Sequence, residues 1–133
     1  MYRTHTVSVG ISADPAVVYA FASRPENLPV WAPGFVHAIE RRGESWFAQT
    51  SLGEAKVSFA PRNDFGVIDH DVEIGSTTFH NAVRVIPNGA GSEVLFTAIQ
   101  FPGVDDQQFK TDLEVVRSDL NKLRTVLEHQ SST

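Results

Sequence analysis

Two polar side chains, His70 and Asn81, stand on largely apolar, strand-like segments that are neighbours along the chain. A neutral imidazole offers one hydrogen-bond donor and one acceptor, and a carboxamide offers both as well. In an apolar pocket, such a pair can orient a carbonyl or a phenol, or pass a proton. The structural alternative is that the two side chains hydrogen-bond each other or the backbone and only satisfy the core.

The hairpin around Gly75 decides which way this pair points. His70 lies on the more apolar face of the segment before the turn, and Asn81 lies on the more apolar face of the segment after it. Matching the two apolar faces requires an odd register, in which opposed residue numbers sum to about 149 or 151. In either register His70 and Asn81 face the concave side of the sheet, whereas His80 and Arg84 point outward.

Other groups of reactive residue types do not predict a site. Asp69-His70-Asp71 has the composition of a metal or triad fragment, but neighbours in a strand point to opposite faces, so the two carboxylates cannot chelate beside the imidazole. His5, His37 and His129 show no metal-ligand spacing. The nucleophile motif Gly-x-Ser-x-Gly is also absent. The sequence therefore indicates neither a metal nor a cofactor.

The last third of the chain predicts one long amphipathic helix. Its apolar residues alternate in steps of four and three and share one stripe, formed by Phe109, Leu113, Val116, Leu120, Leu123 and Leu127. Asp105, with Gln108 three residues later, predicts a capping-box-like start. We expect the helix to fade near His129 and the tail over residues 130–133 to fray. The charged residues of the helix, Asp119 among them, are interpreted as its solvated face.

Seven strands are predicted ahead of this helix, over residues 4–11, 35–42, 45–51, 54–61, 65–73, 76–86 and 92–101. The last six are joined by short turns, and such connections favour antiparallel neighbours. Asp14-Pro15 predicts the start of a short helix after the first strand, and a further helical turn is expected around Glu26 to Trp31. The predicted fold is α+β, with a curved antiparallel sheet of seven strands wrapped around the C-terminal helix. No repeat or linker interrupts it, so we expect a single domain over residues 1–133.

The widths of the predicted elements differ greatly. Seven strands at ~4.8 Å each would span about 33 Å, whereas one helix covers only ~10 Å. The sheet must therefore curl around the helix, and the flanks of the helix are either filled or left open. Nine phenylalanines and two tryptophans could fill them as a solid core. We expect the other outcome, an internal cavity beside the helix.

Composition limits the partners. The formal charge is −5, and Arg41-Arg42 is the one basic pair that stands out, so nucleic acid is a poor partner. The absence of cysteine rules out disulfides and thiolate sites, and it suits a cytoplasmic protein. No stretch approaches the ~20 apolar residues of a membrane span, and residues 1–10 lack the pattern of a secretory signal. We expect a soluble cytoplasmic protein.

Several local patterns occur in a characteristic order. They are the opening Val9-x-Ile11-x-Ala13-x-Pro15-x-x-Val18-x-x-Phe21, the bend Leu28-Pro29-x-Trp31-x-Pro33-Gly34, and the segments 84–89 and 91–97 ahead of the amphipathic helix. In this order the chain resembles bacterial members of the START-like superfamily of helix-grip folds, also called SRPBCC. That superfamily includes polyketide cyclases and dehydratases, lipid-transfer domains and birch-pollen-allergen-like proteins. The resemblance implies a helix-grip fold, and it places the bend around Trp31 at one mouth of the cavity.

The candidate ligand-binding residues combine this resemblance with strand parity. Trp31 either lines the mouth or is a lid that packs against the last helix, and Trp46 and Phe59 either form cavity wall or fill the core. The full candidate set is Trp31, Trp46, Phe59, His70, Phe79, Asn81, Phe109, Leu113 and Val116.

Three functions remain open. The first is binding of a hydrophobic small molecule, such as a lipid, isoprenoid, aromatic or polyketide-like compound, between the sheet and the C-terminal helix. The second is a cofactor-independent cyclase- or dehydratase-type enzyme, a lyase or isomerase, with His70 and Asn81 as catalytic residues. The third is a protein-interaction or chaperone-cofactor module, in which exposed edge strands would also allow a homodimer.

Overall fold

The computed structural model describes residues 1–131, which form seven strands and three α-helices. The strands are β1 Thr4–Ile11, β2 Val36–Arg42, β3 Ser45–Thr50, β4 Gly53–Phe59, β5 His70–Ile74, β6 Thr77–Asn88 and β7 Gly91–Ile99. The helices are α1 Pro15–Ala22, α2 Leu28–Trp31 and α3 Asp106–Ser131, and a 3-10 turn at Pro25–Asn27 precedes α2. No helix within the described residues is long and apolar enough to cross a membrane.

All seven strands form one curved sheet in the order β1-β7-β6-β5-β4-β3-β2, and every neighbouring pair is antiparallel. The short helices α1 and α2 carry the chain from β1 at one edge to β2 at the other. This arrangement confirms the predicted fold class, an α+β fold in which a seven-stranded antiparallel sheet is paired with a long C-terminal helix.

The hairpin between β5 and β6 has the register that residue parity predicted. His70 pairs with Asn81, and Ile74 pairs with Thr77, so opposed numbers sum to 151. The turn depends on Gly75, whose φ of 60° lies in the left-handed region that favours glycine. Because His70 and Asn81 are opposed, both side chains emerge on the same face of the sheet.

Two helix starts follow their sequence signals. The side chain of Asp14 accepts a hydrogen bond from the backbone N–H of Ala16 at 2.9 Å, and proline follows in the first turn of α1. Asp105 caps α3 in the same way, because its Oδ1 accepts from the backbone N–H of Gln108 at 2.8 Å. The side chain of Gln108, however, donates to Asp112 at 2.7 Å instead of reaching back to Asp105.

The strand predicted over residues 65–73 is wrong in its first half, because β5 begins only at His70. The side chain of Asn63 holds the preceding segment in a loop. Its Oδ1 accepts hydrogen bonds from the backbone N–H groups of Phe65 and Val67, and its Nδ2 donates to the carbonyl oxygens of Pro61 and Val67. Asparagine side chains compete with regular strand pairing in this way.

The segment before β5 still lies alongside β6, because Val67 forms an isolated antiparallel bridge with Arg84 and the N–H of Ile68 donates to the carbonyl oxygen of Val83. Ile68 is buried, as the apolar alternation predicted.

The end of α3 also differs from its prediction. The helix continues through Ser131, two residues beyond His129, where it was expected to fade. The rest of the predicted frayed tail, Ser132 and Thr133, lies outside the described residues.

The apolar stripe of α3 is buried as its spacing predicted. Phe109, Leu120, Leu123 and Leu127 are buried, and Leu113 and Val116 are half-buried against the core cluster. Among the strands, α3 packs chiefly against β1. Near its C-terminus, the carboxylate of Glu128 accepts a hydrogen bond from the backbone N–H of Ser12 at 2.8 Å, which fastens this half of the helix beside β1.

The middle of α3 approaches the bend after α2 unusually closely. A Cβ atom placed on Gly34 would lie 2.8 Å from Cγ1 of Val115 and 2.9 Å from Oδ1 of Asp119. Both distances are shorter than a van der Waals contact, so only glycine lets the helix lie this close.

We predict that Gly34→Ala lowers the free energy of unfolding by about 1–3 kcal/mol, because the added methyl must push α3 away from the bend. Urea unfolding measures the change. Gly10→Ala is the matched control, since its Cβ would meet nothing closer than the flexible carboxylate of Glu93 at 3.4 Å. Equal stability of the two variants would contradict the close approach.

Candidate functional site

A cavity of about 420 Å³ lies between the concave face of the sheet and the N-terminal half of α3. The helix residues that border it run from Gln108 to Leu120. Beyond them, Leu123 and Leu127 are buried in the packed core. The aromatic side chains do not fill the interior, so the alternative of a solid core is wrong and the predicted cavity is confirmed.

The wall of the cavity is mainly apolar. Strands β2, β4, β5, β6 and β7, helix α2 and the loop before α3 all contribute to it. The polar side chains that reach it, apart from the indole of Trp31, are Ser51, His70, Asn81, Gln108, Thr111, Asp112 and Asp119. A mostly apolar cavity with a few convergent polar groups is typical of a small-molecule site.

His70 is buried in this wall, and both of its ring nitrogens are engaged. Nδ1 lies 3.0 Å from the carbonyl oxygen of Ile68, so Nδ1 carries the proton and donates it to that oxygen. Nε2 then accepts from Nδ2 of Asn81 at 3.3 Å, and the ring stacks on Phe59 with centroids 4.8 Å apart. Burial lowers the pKa of His70, which favours the neutral ring. These hydrogen bonds are the ones expected if His70 and Asn81 bond each other and the backbone and only satisfy the core.

The nine candidate ligand-binding residues divide into two groups. Those that line the cavity are Trp31, His70, Phe79, Asn81, Phe109 and Val116. The other three, Trp46, Phe59 and Leu113, lie outside its wall: Trp46 is opposite Val57 in the sheet, Phe59 stacks on His70, and Leu113 packs against the core. Strand parity could not separate wall from filler, because residues of both kinds share the inward face.

Trp31 belongs to the cavity wall and also to the core, where only 2% of the residue is exposed. Its indole Nε1–H is buried and has no hydrogen-bond partner among the described residues. A buried donor without a partner is uncommon in folded proteins. Helix α2, which carries Trp31, also contacts α3, as expected if Trp31 belongs to a lid that packs against the last helix.

Asp119 is the polar group that the sequence interpretation missed. It was assigned to the solvated face of α3, but it is only 8% exposed and borders the cavity. A signal was available, because Asp119 lies four residues after Val115 and four before Leu123, next to the apolar stripe. Periodicity alone could not show that the bend at Gly34 would cover this flank of the helix.

The carboxylate of Asp119 has one hydrogen bond among residues 1–131, accepted by Oδ1 from the backbone N–H of Gly34 at 3.0 Å. Burial raises the pKa of Asp119 to about 6, and the Gly34 N–H offsets part of that rise. The group is therefore a buried acid that changes charge near neutral pH, which is a common property of functional carboxyl groups.

The outer face of the sheet carries the charged residues that parity placed there. Nδ1 of His80 lies 2.6 Å from Oδ1 of Asp71, and Nη2 of Arg84 lies 2.8 Å from Oδ2 of Asp69. The side chains of Asp69 and Asp71 thus make their contacts away from the cavity that His70 lines. The part of the chain that is described holds no group of three or more acidic or histidine ligands suited to a metal.

Comparison with known proteins identifies the fold. No protein-family model and no curated protein sequence matches the chain. Solved structures do: the protein XoxI from Bacillus cereus has a TM-score of 0.73 at 14% identity, over 92% of this chain and 94% of that chain. Ara h 8.0201 has a TM-score of 0.68 at 11% identity, over 95% and 97%. Ginseng major latex-like protein 151 from Panax ginseng has 0.69 at 18%, over 94% and 97%. The chain therefore has the helix-grip fold.

We predict that His70 keeps its proton on Nδ1 and gains a second proton only at a lower pH than a histidine of the unfolded chain, because burial lowers its pKa. As the pH falls through the unfolded-chain value, the folded protein therefore binds fewer protons than the unfolded chain, so protonation would destabilise the fold. Long-range proton–nitrogen correlation spectra report the tautomer directly. A proton on Nε2, or a doubly protonated ring at neutral pH, would contradict the assignment.

We predict that Asp119→Asn stabilises the protein at about pH 8 by about 1–2 kcal/mol, since burial of the charge is avoided and residual solvent contact limits the gain. The amide oxygen can still accept from Gly34. Because the pKa of this carboxyl is higher in the folded protein, the group stabilises the fold at pH values below its pKa in the unfolded chain. This stabilisation is lost as the pH rises through about 6. The advantage of the variant should therefore shrink as the pH falls to about 4.

Thermal unfolding of both proteins across this pH range measures the difference. Glu114→Gln removes the same charge from an exposed position on the same helix and serves as the control. An advantage of Asp119→Asn that does not change with pH would mean that the carboxyl is not buried as described.

Proposed function

We propose that this protein binds a hydrophobic small molecule, such as a lipid, isoprenoid, aromatic or polyketide-like compound, in the cavity between the sheet and α3. We further propose that it is a single-domain, cytoplasmic member of the START-like superfamily. The helix-grip fold and the sequence patterns that resemble this superfamily support its assignment. The absence of cysteine suits a reducing compartment.

The observation that carries the proposal is the cavity of about 420 Å³ itself. Its volume falls in the ~300–1,000 Å³ range of small-molecule sites. An apolar cavity of this size costs stability when it is empty, since its lining loses packing contacts. An apolar ligand restores those contacts, and its binding would stabilise the folded protein.

The cyclase- or dehydratase-type alternative receives less support. It requires His70 and Asn81 to act on a substrate, but both ring nitrogens of His70 already have partners in the protein. A substrate would have to break the bond to Asn81 before it could use Nε2 as a base. A reaction in the cavity would instead have to depend on positioning of the substrate.

The protein-interaction alternative places its contacts on the outer face and on the edge strands β1 and β2. On that face, the prominent charged groups His80 and Arg84 are engaged with Asp71 and Asp69. We therefore place this alternative behind ligand binding as well.

The neutral fluorescent probe N-phenylnaphthylamine tests the proposal. We predict saturable binding that raises both its fluorescence and the unfolding temperature of the protein. Ala98→Phe adds a ring to the wall of the cavity at β7 and should weaken binding roughly tenfold or more by removing space for the probe. Ala98→Leu is a smaller substitution that preserves the test if the phenylalanine variant does not fold.

Ala38→Phe is the matched control, because Ala38 is exposed and pairs with Gln49 on the outer side of the sheet. It should bind the probe like the unmodified protein. Absence of saturable binding, or equal loss in the cavity and control variants, would overturn the proposed binding function.

A further inference from the structure

The charges around the cavity are all of one sign. Asp112 and Asp119 both line it, whereas no lysine or arginine among residues 1–131 does. The wall also contains five phenylalanines, Phe35, Phe79, Phe96, Phe101 and Phe109. The faces of aromatic rings attract cations. The guanidinium of Arg3 lies 5.7 Å from the centre of the Phe109 ring but does not itself line the cavity, so a carboxylate ligand would meet like charge in the wall.

The two acidic residues differ in how well they are satisfied. Asp112 is half-exposed, and its Oδ1 accepts a hydrogen bond from the side chain of Gln108 at 2.7 Å. Asp119 is buried, its Oδ1 accepts from Gly34, and its Oδ2 accepts from no group in the described part of the chain. Trp31 Nε1 is the one polar side-chain atom of the described residues that is both fully buried and unpartnered, so Oδ2 of Asp119 is not sealed from solvent and remains accessible to a hydrogen-bond donor.

The other charged or titratable groups near Asp119 do not supply this partner. On α3, Lys122 lies in an adjoining surface groove with Asp119, but within residues 1–131 the two form no ion pair. Asp112 on the same helix has the same charge. On β5, burial lowers the pKa of His70, which disfavours a positive charge there, and the bend contributes only the N–H of Gly34.

We propose that the cavity takes a hydrophobic amine, an apolar ring-containing molecule whose protonated nitrogen pairs with Oδ2 of Asp119 while the phenylalanine side chains surround its apolar body. This inference rests on the proposed binding function and narrows its ligand class. It makes Asp119 the counter-ion of the ligand, and it excludes fatty acids and other carboxylates as the preferred occupants.

Three probes with one apolar body test the inference: tryptamine, tryptophol and indolepropionate, which carry an ammonium, a hydroxyl and a carboxylate on an indole. Isothermal titration at about pH 7.5 should show tryptamine binding at least about tenfold more tightly than tryptophol, as a hydrogen bond to a charged group contributes. Indolepropionate should bind more weakly than either.

Asp119→Asn should remove the advantage of tryptamine and leave tryptophol affinity within about twofold, because the amide keeps the shape of the wall but not its charge. Glu114→Gln, which removes an exposed charge from the same helix, should keep the full advantage. In the unmodified protein the advantage should also shrink as the pH falls to about 5, where Asp119 becomes protonated. This last measurement holds even if the asparagine variant does not fold.

The outcomes separate the two proposals. Equal affinity for tryptamine and tryptophol, tighter binding of indolepropionate, or an advantage that survives in Asp119→Asn would each overturn the amine proposal alone. So would failure of tryptamine to bind a protein that binds N-phenylnaphthylamine. Failure of every probe to bind would overturn the amine proposal and the proposed binding function together.

Discussion

The structure depends on a mismatch of widths: one helix, about 10 Å across, must cover an antiparallel sheet of seven strands. Only part of the helix can press directly on the sheet. The C-terminal half of α3 does so, because Leu120, Leu123 and Leu127 are almost fully buried and Glu128 bonds the backbone beside β1. The N-terminal half then crosses the open remainder of the curved sheet, and the space beneath it is the cavity.

The contact between Gly34 and Asp119 joins this architecture to the site. Glycine lets the bend approach the middle of α3, and the approach covers a carboxylate that would otherwise face solvent. The same backbone N–H that fixes the helix is also the one hydrogen-bond donor to that carboxylate in the described chain. The close approach of the bend therefore fixes the position of the helix and buries the acid, and this burial raises the pKa of Asp119.

Sequence periodicity predicted the features that depend on the spacing of apolar residues along a single helix or strand. It was sufficient for the stripe of α3 and for the pairing of His70 with Asn81, because a one-residue slip would have exposed the apolar faces of both strands. It misplaced the start of β5, because hydrogen bonds of the Asn63 side chain replace part of the regular pairing in the segment before it. It also failed at Asp119, whose burial depends on a bend 85 residues away in the chain.

Two polar sites in the wall of the cavity differ in how far the protein itself satisfies them, and the difference bears on what the cavity is for. His70 and Asn81 hydrogen-bond each other, so this pair satisfies much of its own hydrogen-bonding capacity and can persist beside apolar walls without a ligand. Asp119 has a hydrogen bond on one oxygen only. Stability alone would favour an apolar or amide side chain at this position, since burial raises the pKa of Asp119 and makes its charged form unfavourable. A ligand that donates to Oδ2 accounts for the acid in a way that packing does not.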